Sequence, residues 1–155
     1  MAVYPQKRTA SATPTLDTGA YADGDLMGGK LTLTDLLGST FTGVIETIVL
    51  RDLAKQSLVC DVVFFNSNPT NTTFTDQAAF DVHDTDIDKI AGVVNLATAS
   101  YRAFNDSSIV CAFNVGLHIV ADSDDVYCCL VTRGAPTYGA SDLKLFVVAD
   151  ANQPF

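Results

Sequence analysis

The sequence contains few of the residue types from which catalytic and metal sites are usually built. It has no tryptophan and two histidines, and its four cysteines include no C-x-x-C pair. No G-x-S-x-G elbow, G-x-G-x-x-G turn or complete P-loop occurs. The glycine-rich piece from Gly24 to Gly29 carries Asp25 where a phosphate loop needs bare backbone. The sequence therefore predicts that the protein is not an enzyme and binds no cofactor.

Basic residues are also scarce, and this bears on the class of partner. Nine Lys and Arg residues stand against 18 Asp and Glu, for a net charge of −9, and only Lys7 and Arg8 are adjacent. Nucleic acids and anionic membranes attract basic surfaces, so the sequence predicts neither as a partner. No apolar run approaches the roughly 20 residues of a membrane span, and the N-terminus lacks the apolar core of a signal peptide. We therefore expect the chain to stay in the cytoplasm of the cell that makes it.

Histidines and carboxylates are the remaining metal-ligand candidates. A metal site of the cupin type takes several histidines on neighbouring strands, whereas His83 and His118 are isolated in the sequence. The carboxylates form two groups, namely Asp81, Asp84, Asp86 and Asp88, and then Asp122, Asp124 and Asp125. The first group lacks the glycine and the final glutamate of an EF-hand loop. We interpret both groups as solvated turn and helix-start residues that hold no metal, with calcium binding as the alternative.

Apolar residues, by contrast, are abundant. They make up 48% of the 155 residues, charged residues make up 17%, and the mean hydropathy is +0.23. A chain of this length suits one domain whose core needs no disulfide or metal. The apolar surplus predicts a subunit interface in addition to that core.

The four cysteines have the surroundings of core residues. Cys60, Cys111, Cys128 and Cys129 all lie in apolar runs, and we predict that they are small buried residues with free thiols. Adjacent residues of a strand point to opposite faces of its sheet. Cys128 and Cys129 are therefore expected to lie on the two sides of one strand.

The hydrophobic pattern divides the chain into an arm and one β-rich domain. Residues 1–15 are polar, which predicts an extended arm that is ordered only where another surface supports it. Residues 16–155 alternate short β-runs with turn residues; Leu58–Phe64, for example, has an apolar residue at every second position. Gly116 is predicted to form a bulge. The pattern predicts an all-β antiparallel sandwich or jelly roll.

One segment has a helical pattern. Ile87, Ile90, Ala91 and Val94 repeat at i, i+3, i+4 and i+7. Thr85 precedes Asp88 by three residues, as in a capping box with Asp in place of Glu or Gln. This predicts one or two turns of helix near residues 85–91, ended by Gly92.

Several pieces of the chain resemble small bacteriophage virion proteins. The opening Ala20-Tyr21-Ala22-Asp23-Gly24-Asp25-Leu26-Met27-Gly28-Gly29 follows a short polar segment. A strand ending in Phe64-Phe65 then leads to Asn66-Ser67-Asn68-Pro69-Thr70, to Thr73-Phe74-Thr75-Asp76-Gln77-Ala78-Ala79-Phe80 and to a late strand over residues 126–133. From residue 13 onward the chain is similar to the phage head decoration, or cement, proteins. The resemblance implies a jelly-roll or β-sandwich protomer, usually in trimers, on the capsid exterior between major capsid subunits.

Two functions remain as expectations. The first is a cement protein that binds the outside of the capsid as a homo-oligomer and stabilises contacts between major capsid subunits. Its candidate contact residues lie in the arm and the long loops: Tyr4, Lys7, Arg8, Asn68, Pro69 and Tyr138. The alternative is a virion-surface or tail-associated β-sandwich that recognises host glycans through the loops at 66–80 and 134–142.

Overall fold

The computed structural model describes residues 4–153, which form nine β-strands and three single-turn 3-10 helices. The strands are β1 (Tyr4–Ala12), β2 (Leu26–Leu33), β3 (Thr42–Asp52), β4 (Cys60–Phe65), β5 (Ile90–Leu96), β6 (Tyr101–Ala103), β7 (Ser108–Val120), β8 (Val126–Thr132) and β9 (Leu143–Gln153). The 3-10 helices span Gly38–Thr40, Ile87–Lys89 and Thr98–Ser100.

The strands form two antiparallel sheets that pack face to face. One sheet has the order β1-β9-β3-β7-β6 and the other has the order β2-β8-β4-β5. Apolar side chains from the inner faces of both sheets form the main core, which includes Ile48, Val147, Phe64 and Cys128. The predicted all-β antiparallel sandwich is therefore confirmed.

The N-terminal segment is part of this sandwich. β1 pairs with β9 from Tyr4 opposite Gln153 to Ala12 opposite Leu145, and Ala10 joins the main core. The surface that supports the extended segment is thus a strand of the same chain, more than 130 residues away. Residues 1–3 of the predicted arm lie outside the described range.

The helix predicted near residues 85–91 is present as one 3-10 turn, Ile87–Lys89. It is shorter than expected and is not ended by Gly92, because β5 already begins at Ile90. The expected capping box does not form. The Thr85 hydroxyl contacts Nδ1 of His83 at 2.9 Å, and no side chain caps the turn. Pairing of β5 with β4 has overridden the helical spacing of the apolar residues.

A second apolar cluster lies on the outer side of the β2-β8-β4-β5 sheet. There the loop of residues 66–86 lays Phe74 and Phe80 over Phe65 and Cys129. Cys128 belongs to the main core and Cys129 to this second cluster, so the predicted opposite orientation of the two cysteines is confirmed. The middle of this sheet is consequently covered on both faces, whereas Val93 of the edge strand β5 stays exposed.

The predicted bulge at Gly116 is also present, within the long strand β7. Pairing with β3 shifts from Ile45 opposite Leu117 to Thr47 opposite Phe113, which leaves Glu46 facing three residues of β7. Gly116 has a φ of 68°, a conformation that suits glycine.

Candidate partner-binding surface

The outward side of the β1-β9-β3-β7-β6 sheet carries an unusual number of apolar side chains. Val49 lies between Phe146 and Cys111 on the neighbouring strands, and the next row places Thr47 between Val148 and Phe113. Together with their neighbours these residues make up the surface that we call the outer face. Its members are Lys7, Thr9, Ser11, Val44, Glu46, Thr47, Val49, Arg51, Arg102, Ile109, Cys111, Phe113, His118, Lys144, Phe146, Val148 and Asp150.

No layer of the described chain covers the outer face in the way that residues 66–86 cover the opposite sheet. Phe113 is 68% exposed, although it lies in the middle of a 13-residue strand. Val49, Phe146 and Val148 pack in neither apolar cluster and are partly exposed. Contiguous exposed apolar surface of this kind is typical of an interaction site.

A row of cations crosses one end of the outer face. Lys144 pairs with Arg51, Arg51 pairs with Ile109 on its other side, and Ile109 pairs with Arg102. None of the three cations forms an ion pair with another described side chain. The Lys144 amine instead lies 5.1 Å from the centre of the Phe146 ring, a cation–π distance. This basic row stands out in a chain of net charge −9.

The far end of β3 and β7 has the opposite character. The loops after β2 and β7 meet there, joined by hydrogen bonds from Leu37 N to Asp124 O (2.9 Å) and from Ala121 N to Phe41 O (2.8 Å). Exposed apolar side chains, Phe41 and Val120, lie beside carboxylates at this end. We call this surface the acidic end; it comprises Asp35, Phe41, Val120, Asp122, Asp124 and Asp125.

The predicted contact residues of the arm separate onto two sides of β1. Lys7 lies on the outer face, where its amine forms an ion pair with Asp150 at 2.7 Å. The hydrogen bond to Asp150 raises the pKa of the Lys7 amine above its ordinary value, and the charge of Glu46 adds to this effect. Arg8 points the other way and forms an ion pair with Asp35 at 2.7 Å. The side chain of Tyr4 lies outside the described part of the structure.

Two of the predicted loop contacts are buried, which corrects that expectation. Tyr138 is 2% exposed, and its hydroxyl donates to the buried carboxylate of Asp52 at 3.3 Å. Burial, and then the charge of Asp52, raise the pKa of Tyr138. Pro69 is also buried, so neither side chain offers a surface to a partner. Asn68 is half-buried and accepts a hydrogen bond from the Lys30 amine at 2.6 Å.

Asp86 corrects the expectation that the clustered carboxylates are solvated. Its side chain is fully buried and accepts hydrogen bonds from the backbone amides of Asn71 (2.8 Å) and Thr72 (2.7 Å). The Lys89 amine forms an ion pair with it at 2.8 Å. Burial alone would raise the pKa of Asp86, but the hydrogen bonds from Lys89 and Thr72 and from the two amides lower it below its usual range.

The calcium alternative gains no support from the described residues. Between 4 and 153, no three His, Cys, Asp or Glu side chains come together as a metal-binding group. Asp86 is committed to the hydrogen bonds above, and Asp125 accepts from the amide of Asp35 at 2.8 Å. Three of the cysteines, Cys60, Cys128 and Cys129, are buried and Cys111 is partly exposed, all with free thiols.

Two shallow clefts, each of about 330 Å³, lie beside the loops that the glycan-binding alternative uses. The first is lined by polar groups of Asn71, Asp81 and His83 and by the ring of Phe80. The second lies between the β3–β4 connection and residues 133–136, with Arg133 and Thr98 in its wall. Neither cleft contains an orphaned buried polar group.

The outer face was missed as a unit in the sequence, although one signal pointed to it. β3 has apolar residues on both of its sides, with Ile45, Ile48 and Leu50 inward and Val44 and Val49 outward. An antiparallel strand with one solvated face would alternate apolar and polar residues. The two outward valines interrupt this alternation and indicate that part of the outward side of β3 is suited to burial.

Comparison of the sequence with models of known protein families and with the curated proteins finds no match. Among residues 4–153, no helix has the length and apolar character needed to cross a bilayer.

Proposed function

We propose that this protein is a structural protein of the virion, a head decoration or cement protein that binds the capsid exterior and stabilises contacts between major capsid subunits. The observation that carries the proposal is the outer face, a partly exposed sheet surface with an apolar centre at Val49, Phe146 and Phe113. A protein with this surface and without a recognisable catalytic motif is suited to binding other proteins.

The pieces that carry the resemblance to cement proteins contact one another, which supports the proposal. Tyr21 and Gly28 of the first piece both donate hydrogen bonds to Asp76 of the later piece, at 2.9 and 2.6 Å. Backbone hydrogen bonds join Gln77 N to Leu26 O and Phe80 N to Gly24 O, both at 2.9 Å. The similar segments thus form one structural unit.

The strand order supports a jelly-roll protomer as part of the same proposal. When the three-residue β6 is left out, the eight remaining strands lie in the order first, eighth, third, sixth in one sheet and second, seventh, fourth, fifth in the other. This is the order expected of a jelly roll, a fold that is common among capsid proteins.

The proposed action depends on copy number. A capsid displays many equivalent sites, and a homo-oligomer, which we propose to be a trimer, engages several of them at once. Multivalent attachment makes individually weak contacts effective. Each bound oligomer would then link neighbouring capsid subunits and oppose their separation.

Heated phage heads provide the test. Heads that carry the protein and heads that lack it are heated in steps and separated on a density gradient. We expect heads without the protein to rupture at a lower temperature, and addition of the purified protein to restore the rupture temperature. Equal rupture temperatures would refute the stabilising role. Electron microscopy of intact particles should place the protein on the outer surface, between major capsid subunits.

One observation favours a second candidate, a virion-surface or tail-associated module that binds host glycans. The cleft beside residues 71–83 combines an aromatic ring, Phe80, with the amide of Asn71 and the carboxylate of Asp81. Rings that stack on sugars and side chains that bind hydroxyl groups are features of saccharide sites. A glycan array distinguishes the two proposals, because a cement protein should bind no glycan specifically.

A further inference from the structure

The outer face is basic, although the chain as a whole is acidic. It carries four cations, Lys7, Arg51, Arg102 and Lys144, and two carboxylates, Glu46 and Asp150. Its net charge is therefore +2, which leaves −11 for the rest of a chain whose total is −9. Two outer faces placed against each other would bring like charges together, so this surface suits an acidic partner.

The acidic end of the same molecule has a complementary charge: Asp35 is paired with Arg8, but Asp122, Asp124 and Asp125 form no ion pair with a described side chain. Its exposed apolar side chains, Phe41 and Val120, are 39% and 72% exposed, and the exposed Asp122 lies next to them. The outer face offers the exposed Phe113 and the unpaired Lys144 and Arg51 in return. Protein surfaces that bind each other commonly have apolar groups at their centres and carry charges of opposite sign around them.

We propose that the outer face of one copy receives the acidic end of a second copy. This inference rests on the proposed function, which requires a homo-oligomer. It adds to that function the two surfaces that hold the copies together. Four long strands spaced about 4.8 Å apart and about nine residues long cover on the order of 600 Å² in projection. Specific interfaces bury about 600–1,000 Å² per partner, so the outer face reaches the lower end of the range for a stable contact.

The positions of the two surfaces determine the kind of assembly. The outer face is the broad side of a sheet, whereas the acidic end is formed by loops at the ends of β3 and β7. The contact is heterologous, because different surfaces of the two copies meet. Repeated heterologous contacts close into a ring only where the rotation from copy to copy completes a full turn, which is the arrangement that the proposed trimer requires.

Charge reversal tests the pairing of the two surfaces in the isolated full-length protein. Sedimentation velocity should give a multiple of the 16.5 kDa chain mass for the unmodified protein. Lys144→Glu and Asp122→Lys should each weaken self-association by about tenfold or more. The double variant Lys144→Glu/Asp122→Lys should recover most of it, because every contact again joins opposite charges. Recovery by the double variant is specific to a contact between these two surfaces.

Matched controls distinguish loss of this contact from the effects of a changed net charge or of unfolding. Lys30→Glu and Asp81→Lys make the same charge changes at exposed positions on other surfaces and should leave the oligomer unchanged. Phe113→Ser should dissociate the oligomer, whereas Val93→Ser, which alters an exposed valine of β5, should not. Circular dichroism checks that each variant is folded.

Three results would overturn the inference. The unmodified protein could be a monomer at micromolar concentration, or the oligomer could persist in both Lys144→Glu and Phe113→Ser. In the third result, the double variant dissociates as fully as the two single charge variants. None of them decides whether the protein binds capsids, because the rupture experiment measures that separately. Equal rupture temperatures combined with the expected sedimentation results would instead refute the cement function and leave the contact between copies standing.

Discussion

The hydroxyl of Tyr21 donates a hydrogen bond to Asp76, 55 residues away, with the two carboxylate oxygens at 2.9 and 3.1 Å. The same carboxylate accepts from the backbone amides of Asp17 at 2.7 Å and Gly28 at 2.6 Å. Burial and the hydrogen bond to Asp76 raise the pKa of Tyr21. Asp76 therefore fastens the loop that covers the β2-β8-β4-β5 sheet to the segment between β1 and β2.

Removal of this acceptor should destabilise the fold. Asp76→Ala removes the acceptor of the Tyr21 hydroxyl and the Gly28 amide and leaves the Asp17 amide only its longer contact with the Tyr21 hydroxyl, so we expect the free energy of unfolding to fall by about 1–3 kcal/mol. Tyr21→Phe removes one donor and should cost about 1 kcal/mol. Urea unfolding followed by circular dichroism measures both. The exposed Asp81→Ala is the control, and an Asp76→Ala variant as stable as this control would contradict the anchoring role.

A glycine series can separate backbone strain from steric conflict. Gly24 and Gly28 have φ values of 90° and 78°, but a Cβ at Gly24 meets open space whereas one at Gly28 would lie 2.2 Å from Cβ of Pro14. We expect Gly24→Ala to cost about 1–2 kcal/mol from the left-handed conformation alone. Gly28→Ala should cost about 1–3 kcal/mol more because of the overlap. Gly134→Ala, with neither problem, should be close to neutral.

Urea midpoints rank these three glycine variants. Equal decreases in the free energy of unfolding for Gly24→Ala and Gly28→Ala would show that residues 13–15 move aside freely. Their close approach to β2 would then contribute little to stability.

Asp86 should make stability depend on pH in the acid range. Its pKa is lowered in the folded protein by the hydrogen bonds from Lys89, Thr72 and Asn71, which outweigh the opposing effect of burial. In the unfolded chain it titrates near its ordinary value of about 3.9. The stabilisation is complete above that value and is lost as the pH falls towards the folded pKa, because the unfolded chain takes up the proton first.

Unfolding midpoints between pH 6 and pH 2 measure this dependence. Asp86→Asn should be less stable at pH 6 and should lose less further stability on acidification than the unmodified protein. Asp84→Asn, at an exposed position in the same loop, serves as the control. Parallel pH profiles for the unmodified protein and Asp86→Asn would contradict the assignment.

Thiol reactivity should distinguish Cys111 from the other cysteines. Burial raises the pKa of Cys60 and of Cys128 to about 12, and burial also raises the pKa of Cys129. Thiolates are the reactive form, so these three should react slowly at pH 8, while the partly exposed Cys111 reacts first. Because Cys111 lies on the outer face, the titration with a chromogenic disulfide uses the Phe113→Ser variant, in which we expect this face to be free. It should count one fast thiol in the folded variant and four in urea. Cys111→Ser should abolish the fast phase; its persistence would locate the accessible thiol elsewhere.

The sequence by itself determined the class of fold and much of the core. Alternation of apolar residues along Leu58–Phe64 and the turn residues between the runs specify strands, because the period of two is a property of the extended backbone. The opposite orientations of Cys128 and Cys129 and the bulge at Gly116 follow from the same local geometry. These features depend on residues close together in the chain.

The tertiary structure alone decided which surfaces are free. β1 is ordered because β9 lies beside it, and Tyr138 and Pro69 are buried because distant residues close over them. Asp52, Asp76 and Asp86 become internal acceptors only where remote amides and hydroxyls converge on them. Likewise, the outward side of β3 carries the apolar Val44 and Val49 among polar residues and remains partly exposed, whereas the loop of residues 66–86 packs on the other sheet. Such outcomes depend on contacts between residues far apart in the chain, which local periodicity does not encode.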